Sequence, residues 1–208
     1  MELIDGIKMK GKGVEIPDVG RRQLPGFFKQ MGYKVGVEIG VQRGHFTKRL
    51  CRVGLKVYAV DPWKSYHDYK AWKGYQRHQD RIYEIAEKTL SVFPTCTLVR
   101  KKSMEAVRDF KRDSIDFVYI DGHHGFKYVA EDIYEWSKIV RKGGIISGHD
   151  YGYGKQGPQA GPYVLQVRYV VDAYTEALGI KNWWILGRKV HKTGERRDQW
   201  RSWMWIRE

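Results

Sequence analysis

The chain has 208 residues, of which 42% are hydrophobic and 30% are charged, and this size suits one well-buried domain better than two. No apolar run approaches the roughly 18 to 20 residues of a membrane span, and the first residues lack the basic region and apolar core of a secretory signal, so we expect a cytosolic protein without a membrane partner. The formal net charge of +14 favours an acidic partner, such as nucleic acid, an acidic metabolite or an anionic glycan.

The first third of the chain predicts a lead-in segment followed by a strand-helix-strand unit. Residues 1–20 are rich in Gly and Lys with little periodicity, and we predict an irregular N-terminal arm there, ahead of a single domain over 21–208. The next predicted elements are a helix over 21–31, a strand over 35–39, a helix over 45–53 and a strand over 57–60. The two strands should be parallel, with a right-handed crossover.

The turn after the first of these strands carries an acid and two glycines. It reads Val37-Glu38-Ile39-Gly40-Val41-Gln42-Arg43-Gly44, and Gly40 and Gly44 let the backbone turn sharply and approach a ligand. Asp61 ends the next strand, where a carboxylate can accept hydrogen bonds from both ribose hydroxyls of an adenosine. The E-x-G-x-x-x-G spacing differs from the G-x-G-x-x-G of dinucleotide sites, and Glu38 would repel a pyrophosphate. The pattern therefore favours an adenosine cofactor with a cationic amino-acid tail.

An unusually aromatic stretch follows Asp61. Trp63 and Tyr66 begin it, and its composition is not that of an ordinary loop. These rings could line the mouth of a substrate site, or they could cover the edge of the sheet.

The second half of the chain continues to alternate strands with helices. The predicted elements are a helix over 78–91, a strand over 97–100, a short helix to residue 110, a strand over 115–120, a helix over 126–140 that ends at the glycines 143 and 144, a strand over 145–148, a helix ending at 178, and a closing antiparallel pair over 183–186 and 203–206. We therefore predict an α/β fold with a mostly parallel twisted sheet, a C-terminal antiparallel hairpin and helices on both faces.

Two later strands end in acids. Asp121 follows the strand over 115–120, and Asp150 follows the strand over 145–148. If these strands are neighbours, the two carboxylates converge at the carboxyl edge of the sheet, where open α/β sheets bind ligands. Such a pair could hold a divalent cation such as Mg²⁺, which would lower the pKa of a hydroxyl group, or Asp121 could hold the cofactor or a backbone amide.

Three histidines accompany these acids. An imidazole titrates near neutral pH, as the abstraction of a hydroxyl proton requires. His149, beside Asp150, is the first candidate for a general base, and His123 and His124, after Asp121, are the others. His123 and His124 are also candidates for substrate contacts, together with Trp63.

Four motifs in chain order resemble those of the class I S-adenosylmethionine-dependent methyltransferases. They are the glycine turn, Asp61, the run Phe117-Val118-Tyr119-Ile120-Asp121-Gly122-His123-His124-Gly125-Phe126 with Asp132 beyond it, and the run Lys142-Gly143-Gly144-Ile145-Ile146-Ser147-Gly148-His149-Asp150-Tyr151. The last two resemble the group that includes macrolide and aminocoumarin sugar O-methyltransferases, the family 24 type. The likeness extends from about residue 21 to residue 178.

This resemblance implies a Rossmann-like fold, S-adenosylmethionine as the cofactor, and methyl transfer to a hydroxyl of a small molecule or glycan. It also implies adenine-side contacts from Ser103 and Met104, and cofactor contacts from Glu38, Gly40, Gly44, Asp61 and Asp121. In related metal-dependent O-methyltransferases a third Asp or Asn follows the second acid, whereas Tyr151 stands at that position here.

Two other functions remain open from the sequence. A nucleic-acid methyltransferase is favoured by the charge of +14, but the Asn/Asp-Pro-Pro-Tyr/Phe motif of base amino-methyltransferases is absent, and Lys155, Lys192 and Glu195 are the only candidates for a ribose 2′-O-methyltransferase set. A basic binding module without activity is the other option, and the intact cofactor motif argues against it.

Overall fold

The computed structural model describes residues 2–65, 76–152, 165–190 and 192–208. The strands are β1 (Val14–Ile16), β2 (Val35–Ile39), β3 (Lys56–Val60), β4 (Cys96–Val99), β5 (Ile115–Ile120), β6 (Val140–Tyr151), β7 (Trp183–Leu186) and β8 (Arg201–Ile206). The helices are α1 (Leu3–Gly6), α2 (Leu24–Gln30), α3 (His45–Arg52), α4 (Gln76–Leu90), α5 (Ser103–Ala106), α6 (Phe126–Ser137) and α7 (Val167–Ala177).

The strands form one sheet in the order β1-β7-β8-β6-β5-β2-β3-β4. Neighbouring strands are parallel except that β8 runs antiparallel to both β6 and β7. The predicted fold class, a mostly parallel sheet closed by a C-terminal antiparallel pair, is confirmed. Because β5 and β6 are neighbours, and β5 also pairs with β2, the ends of these three strands meet at one edge.

Helices cover both faces of the sheet, so its central strands are buried on both sides. Every residue of β5 is buried. Phe117 and Tyr119 belong to the cluster that includes α2 and α3, whereas Val118 and Ile120 belong to the cluster that includes α6 and α7. Burying each such side chain contributes about 1.5 to 3 kcal/mol, so the two clusters hold the strand ends in fixed register.

The N-terminal segment is more regular than the irregular arm predicted for residues 1–20. It contains α1 and β1, and β1 extends the sheet by pairing in parallel with β7. Leu3, Ile16 and Val19 are buried. A strand of three residues is too short to show a periodic pattern, and its partner lies about 170 positions away, so local sequence could not indicate this pairing. The boundary at residue 21 stays a prediction.

The helix predicted over 126–140 is shorter in the structure. α6 ends at Ser137, and Val140 already begins β6, opposite Ile115 of β5. Gly143 therefore does not cap a helix. Its φ of 73° turns the strand, and its amide donates to the Arg207 carbonyl oxygen at 2.8 Å. The apolar Val140 fits both a helix face and a buried strand, so periodicity alone could not separate the two.

Other boundaries also shift. The helix predicted over 21–31 begins with a 3₁₀ turn at Arg21–Gln23, and the α-helix starts at Leu24. Of the five tryptophans near the C-terminus, Trp200 is 39% exposed and the others are buried in the core, as their apolar surface favours. None of the helices in the described ranges has the length and hydrophobicity of a membrane-spanning segment.

Candidate active site

A cavity of about 860 Å³ opens at the carboxyl ends of β2, β3, β4 and β5. The predicted site residues that line it are Glu38, Gly40, Asp61, Ser103, Met104, Asp121, His123 and His124. The sheet edge therefore brings together residues that lie up to 86 positions apart in the chain, as the convergence of parallel strands requires.

The glycine turn is tight because two backbones approach each other closely. Gly40 has φ 87°, and a Cβ atom there would overlap the carbonyl oxygen of Asp121. Gly44 has φ 78° and precedes α3, and a Cβ atom there would lie 2.8 Å from the Leu90 side chain. Gly44 does not line the cavity, so its part in the site is to shape the turn.

Asp61 ties the end of β3 to the glycine turn. Its Oδ2 accepts a hydrogen bond from the Gln42 amide at 3.0 Å, and its Oδ1 accepts one from the Trp63 amide at 2.8 Å. Burial raises the pKa of this carboxyl, and the amide hydrogen bonds oppose that shift. Each carboxylate oxygen has a second lone pair, so Asp61 can still accept hydrogen bonds from two ligand hydroxyls.

Trp63 does not occupy the predicted place at the substrate mouth. Its side chain is 1% exposed, its Nε1 donates to the Gln42 carbonyl oxygen at 2.9 Å, and its ring packs edge-on against Tyr83. It does not line the cavity, because the ring is used for packing against α4. Tyr66, predicted with it, lies outside the described residues.

Ser103 connects α5 to α6 instead of capping a helix. Its hydroxyl donates to Asp132 Oδ1 at 2.5 Å and accepts from Trp136 Nε1 at 2.8 Å. Burial raises the pKa of Asp132 to about 7. Both Ser103 and Asp132 line the cavity, with Met104 beside them. Asp132 was not predicted as a site residue. The feature of the sequence that could have indicated it is the position of an acid on the apolar face of a predicted helix.

Glu38 is a buried acid that lines the cavity at the end of β2. It is 2% exposed and accepts a hydrogen bond from the Thr47 hydroxyl of α3. Burial raises its pKa to about 8, although the Thr47 hydrogen bond and the positive charge of Arg21 lower it. A cationic ligand group beside Glu38 would favour its ionised form.

Arg21 is a cavity residue that the sequence did not indicate. It lies in the 3₁₀ turn before α2, and its Nη1 is 3.2 Å from Asp121 Oδ2. Its backbone amide donates to Asp198 Oδ2 at 2.5 Å, which holds the turn against the C-terminal region. No local pattern marks an arginine whose partner is 100 positions away.

Two acids and a histidine meet at the ends of β5 and β6. His124 Nε2 lies 2.9 Å from Asp150 Oδ2. Burial and the negative charge of Asp150 raise the pKa of Asp121 well above its usual range. Burial alone would also raise the pKa of Asp150, but hydrogen bonds from His124 and His149 hold it well below its usual range. Asp150 is therefore the anion of the pair.

His149 lies behind these acids and does not line the cavity. Its Nδ1 is 3.3 Å from Asp150 Oδ1 and 3.7 Å from Asp121 Oδ1. Its Nε2 is buried and has no hydrogen-bond partner within the described part of the chain. The structure therefore does not bring the first predicted general base to the cavity. His124, in the loop between β5 and α6, lines the cavity instead.

Asp121, His124 and Asp150 could together hold a metal ion, since one ligand atom from each lies within 4.8 Å of the others. The predicted pair of acids is thus joined by a histidine. Tyr151 adds no ligand, because its hydroxyl donates to Asp172 Oδ1 at 2.6 Å.

Comparisons with known proteins agree with this geometry. A family model described as a methyltransferase domain, of type 24, matches residues 37–151, which is more than half of the chain. The match begins in β2 and ends with β6, so it contains the glycine turn and the acids of the cavity. No curated protein sequence gives a significant match.

Solved structures with the same fold include the O-methyltransferase from Bacillus cereus in complex with SAH, with a TM-score of 0.61, 14% identity, and coverage of 90% of this chain and 80% of that one. The O-methyltransferase TomG from Streptomyces achromogenes, involved in tomaymycin synthesis and in complex with SAM, has a TM-score of 0.59, 12% identity, and coverage of 90% and 79%. An rRNA methylase from Streptococcus thermophilus has a TM-score of 0.59, 14% identity, and coverage of 88% and 93%. The chain therefore belongs to methyltransferase family 24 and has the class I methyltransferase fold, as the family match over residues 37–151, the sheet order and the cavity together show.

Proposed function

We propose that this protein is an S-adenosylmethionine-dependent O-methyltransferase that acts on a hydroxyl of a small molecule or sugar. The observation that carries the proposal is that one cavity contains both a cofactor half, with the glycine turn and Asp61, and an acid-base half, with Asp121 and His124. A methyl transfer to oxygen needs both, since the sulfonium must be held in place and the hydroxyl must lose its proton.

In the cofactor half, Asp61 would accept hydrogen bonds from the ribose hydroxyls, and Ser103 and Met104 would lie against the adenine. Glu38 and Arg21 line the same cavity, and they carry opposite charges when Glu38 is ionised. A carboxylate and a guanidinium match the ammonium and the carboxylate of a methionine tail. The SAM and SAH in two structures of the same fold support this choice of cofactor.

In the acceptor half, His124 is our candidate for the general base, in place of His149. It lines the cavity, and its contact with Asp150 lets that anion stabilise the imidazolium, as a carboxylate does in an acid-base dyad. The acceptor oxygen attacks the methyl carbon, the carbon-sulfur bond breaks, and the hydroxyl proton passes to His124. S-adenosylhomocysteine is left in the cofactor half.

A divalent cation is the alternative means of activating the hydroxyl. Asp121, Asp150 and His124 would hold it, and it would lower the pKa of the acceptor hydroxyl when bound. Two carboxylate oxygens and one imidazole nitrogen suit Mn²⁺ or Zn²⁺ better than Mg²⁺, because Mg²⁺ prefers oxygen ligands alone. His124 cannot act as a ligand and as a base at the same time, so the two mechanisms are separable.

The first test is binding and its dependence on Asp61. Calorimetry should show S-adenosylmethionine binding to the wild-type protein, and Asp61→Ala should weaken it by at least tenfold, in line with the loss of two hydrogen bonds to charged oxygens. A panel of hydroxylated sugars and phenols then identifies acceptors by S-adenosylhomocysteine release. Absence of S-adenosylmethionine binding at millimolar ligand would overturn the proposal.

The second test separates the two histidines. With an acceptor in hand, His124→Gln should lower kcat by roughly 10² to 10⁴-fold, whereas His149→Gln, which changes a residue outside the cavity, should lower it by less than about tenfold. Activity that survives excess chelator supports the base mechanism, and activity that is lost on chelation and returns with Mn²⁺ or Mg²⁺ supports the cation. A larger effect at His149 than at His124 would contradict our assignment.

A nucleic-acid acceptor remains the second candidate. Of the residues proposed for a ribose-methylating set, Lys192 and Glu195 do not line the cavity, and Lys155 lies outside the described residues. The observation that favours this candidate is a continuous basic surface beside the cavity.

A further inference from the structure

The exposed face of α3 is uniformly basic. Its outward side chains are His45, Lys48, Arg49 and Arg52, which recur at the three- and four-residue spacing of one helix face, opposite the buried Phe46, Thr47, Leu50 and Cys51. The chain from residue 42 to residue 60 contains five Lys or Arg and no acid. This surface is therefore a stripe of basic side chains without acidic ones.

The charges of this stripe are not neutralised by neighbouring acids. Within the described ranges, Arg43, Lys48, Arg49 and Arg52 form no ion pair, whereas several other arginines do. Of the three acids on the adjacent α4, Asp80 pairs with Arg100 and Glu87 accepts a hydrogen bond from the Tyr83 hydroxyl, and within the described ranges Glu84 forms no ion pair with the stripe. Unpaired like charges in a row repel one another, so a polyanion bound there would reduce the electrostatic repulsion between them.

The stripe continues to the cavity. Arg43 and His45 line the cavity itself. Arg43 also lines a smaller groove of about 310 Å³ together with His78 and Arg81 of α4. The basic surface thus runs from the groove between Arg43 and α4, past the mouth of the cavity, and along α3.

The length of the stripe favours a polymer over a single anion. From His45 to Arg52 the helix rises by about 10 Å, and Arg43 extends the row further. One phosphate group can contact only part of it. A chain of regularly spaced phosphates can contact all of it, as in grooves that follow a nucleic-acid backbone.

We propose that the face formed by Arg43, His45, Lys48, Arg49 and Arg52 binds the phosphate backbone of single-stranded RNA and presents a ribose hydroxyl of that strand to the cavity. This inference rests on the proposed O-methyl transfer and takes the second candidate, nucleic acid, as the acceptor in place of a small molecule or sugar. An O-methyltransferase needs a hydroxyl, and RNA carries one on every ribose, which internal DNA nucleotides lack. A single strand is required, since a cavity of about 860 Å³ that also holds the cofactor cannot admit a duplex.

The test compares two double variants with the same change of charge. Arg49→Gln with Arg52→Gln removes two charges from the stripe. Arg108→Gln with Arg112→Gln removes two exposed charges from the connection that leads to the start of β5, away from the cavity, and serves as the matched control. Neither pair lies in the cofactor or acid-base half of the cavity.

Binding of a labelled 20-nucleotide RNA is measured by fluorescence anisotropy between 50 and 200 mM salt. The stripe variant should bind at least tenfold more weakly than wild type, with the slope of log affinity against log salt reduced by about 1.4, while the control changes less than threefold. Single-stranded DNA of the same sequence should bind comparably but accept no methyl group, whereas the RNA should accept it.

Three outcomes would overturn the proposal: equal losses in both variants, no RNA binding at 50 mM salt, or tight binding to anionic phospholipid vesicles that exceeds binding to RNA. Calorimetry with S-adenosylmethionine on the same samples shows whether the RNA surface alone is wrong or the proposed methyltransferase activity is wrong as well. Normal cofactor binding without RNA binding rejects the RNA surface alone, whereas absent cofactor binding rejects the methyltransferase activity and leaves the anisotropy result readable.

Discussion

Glu38 and Arg21 are an acid and a base that line the same cavity, and burial changes the protonation of the acid. Glu38 is almost fully enclosed and has a pKa of about 8, and Arg21 contacts Asp121 at the same end of the cavity. A ligand with an ammonium and a carboxylate would satisfy both. This pairing leads to two predictions at the scale of single residues.

Arg21→Gln should weaken binding of S-adenosylhomocysteine by roughly 10 to 100-fold, the effect expected when a charge-assisted hydrogen bond to a carboxylate is lost. Methylthioadenosine has no amino-acid tail, so its affinity should not change. Calorimetry with both ligands measures this, and Arg22→Gln, at an exposed neighbouring arginine, is the control. Equal loss for both ligands would show that Arg21 acts on the fold and not on the tail.

Glu38 should make the free protein less stable as the pH rises. Its folded pKa, about 8, lies above its ordinary value of 4.5, so its contribution to stability is complete below pH 4.5 and is lost as the pH rises through 8. The loss between these limits is roughly 3 to 5 kcal/mol.

Glu38→Gln keeps an acceptor for the Thr47 hydroxyl and removes this titration. Urea unfolding at pH 5 and pH 8 should therefore show a smaller difference in the free energy of unfolding for the variant, which should be more stable than wild type at pH 8 yet bind S-adenosylmethionine more weakly. The same pH dependence in both proteins would reject the buried-acid explanation.

At the scale of elements, the sheet edge at β1 is the part of the fold that the local sequence did not predict. Ile16 is fully buried in the cluster that includes α2 and α3, whereas Val14, two residues away on the same strand, is only partly buried. Truncation of a buried isoleucine leaves a cavity, and truncation at a half-exposed position does not.

We therefore expect Ile16→Ala to lower the free energy of unfolding by about 2 to 5 kcal/mol and Val14→Ala to lower it by less than about 1.5 kcal/mol. Urea unfolding of both variants measures the difference. If residues 1–20 were an irregular arm without packing, neither substitution would change stability by more than about 0.5 kcal/mol.

Some predictions about the site depend on which strands pair with each other in the sheet. β2, β5 and β6 are neighbours, so Asp121 and Asp150 converge as the motifs indicated. The sequence did not determine the order β6-β5-β2-β3, and the convergence of the two acids was predicted only on the condition that their strands are neighbours, because strand order depends on contacts between distant segments. For the same reason the sequence did not indicate Arg21, which lies in a 3₁₀ turn before α2 and contacts Asp121 at the end of β5.

At the scale of the whole molecule, the proposed cofactor site spans the ends of β2, β3, β4 and β5. A ligand bound there joins the loops that follow four strands, so binding should stabilise the fold as a unit. S-adenosylhomocysteine at 100 times its Kd should add about 2.7 kcal/mol, which corresponds to a rise in Tm of roughly 5 to 10 °C for a chain of this size.

Differential scanning fluorimetry measures this shift. NAD⁺ is the informative control, because the acid at position 38 disfavours a pyrophosphate, and we expect it to leave Tm unchanged at the same concentration. A shift with NAD⁺ as large as that with S-adenosylhomocysteine would contradict the cofactor assignment made from the glycine turn.

The sequence by itself determined the fold class, the glycine turn with its acids at positions 38 and 61, and the pair of acids that end β5 and β6. These features are local: a turn needs glycines at fixed spacing, and a buried strand needs a short apolar run. Only the tertiary structure decided that Trp63 is packed inside, that His124 and not His149 faces the cavity, and that Arg21 joins Asp121. Side-chain direction and long-range pairing depend on what packs against each residue, and no spacing along the chain encodes that packing.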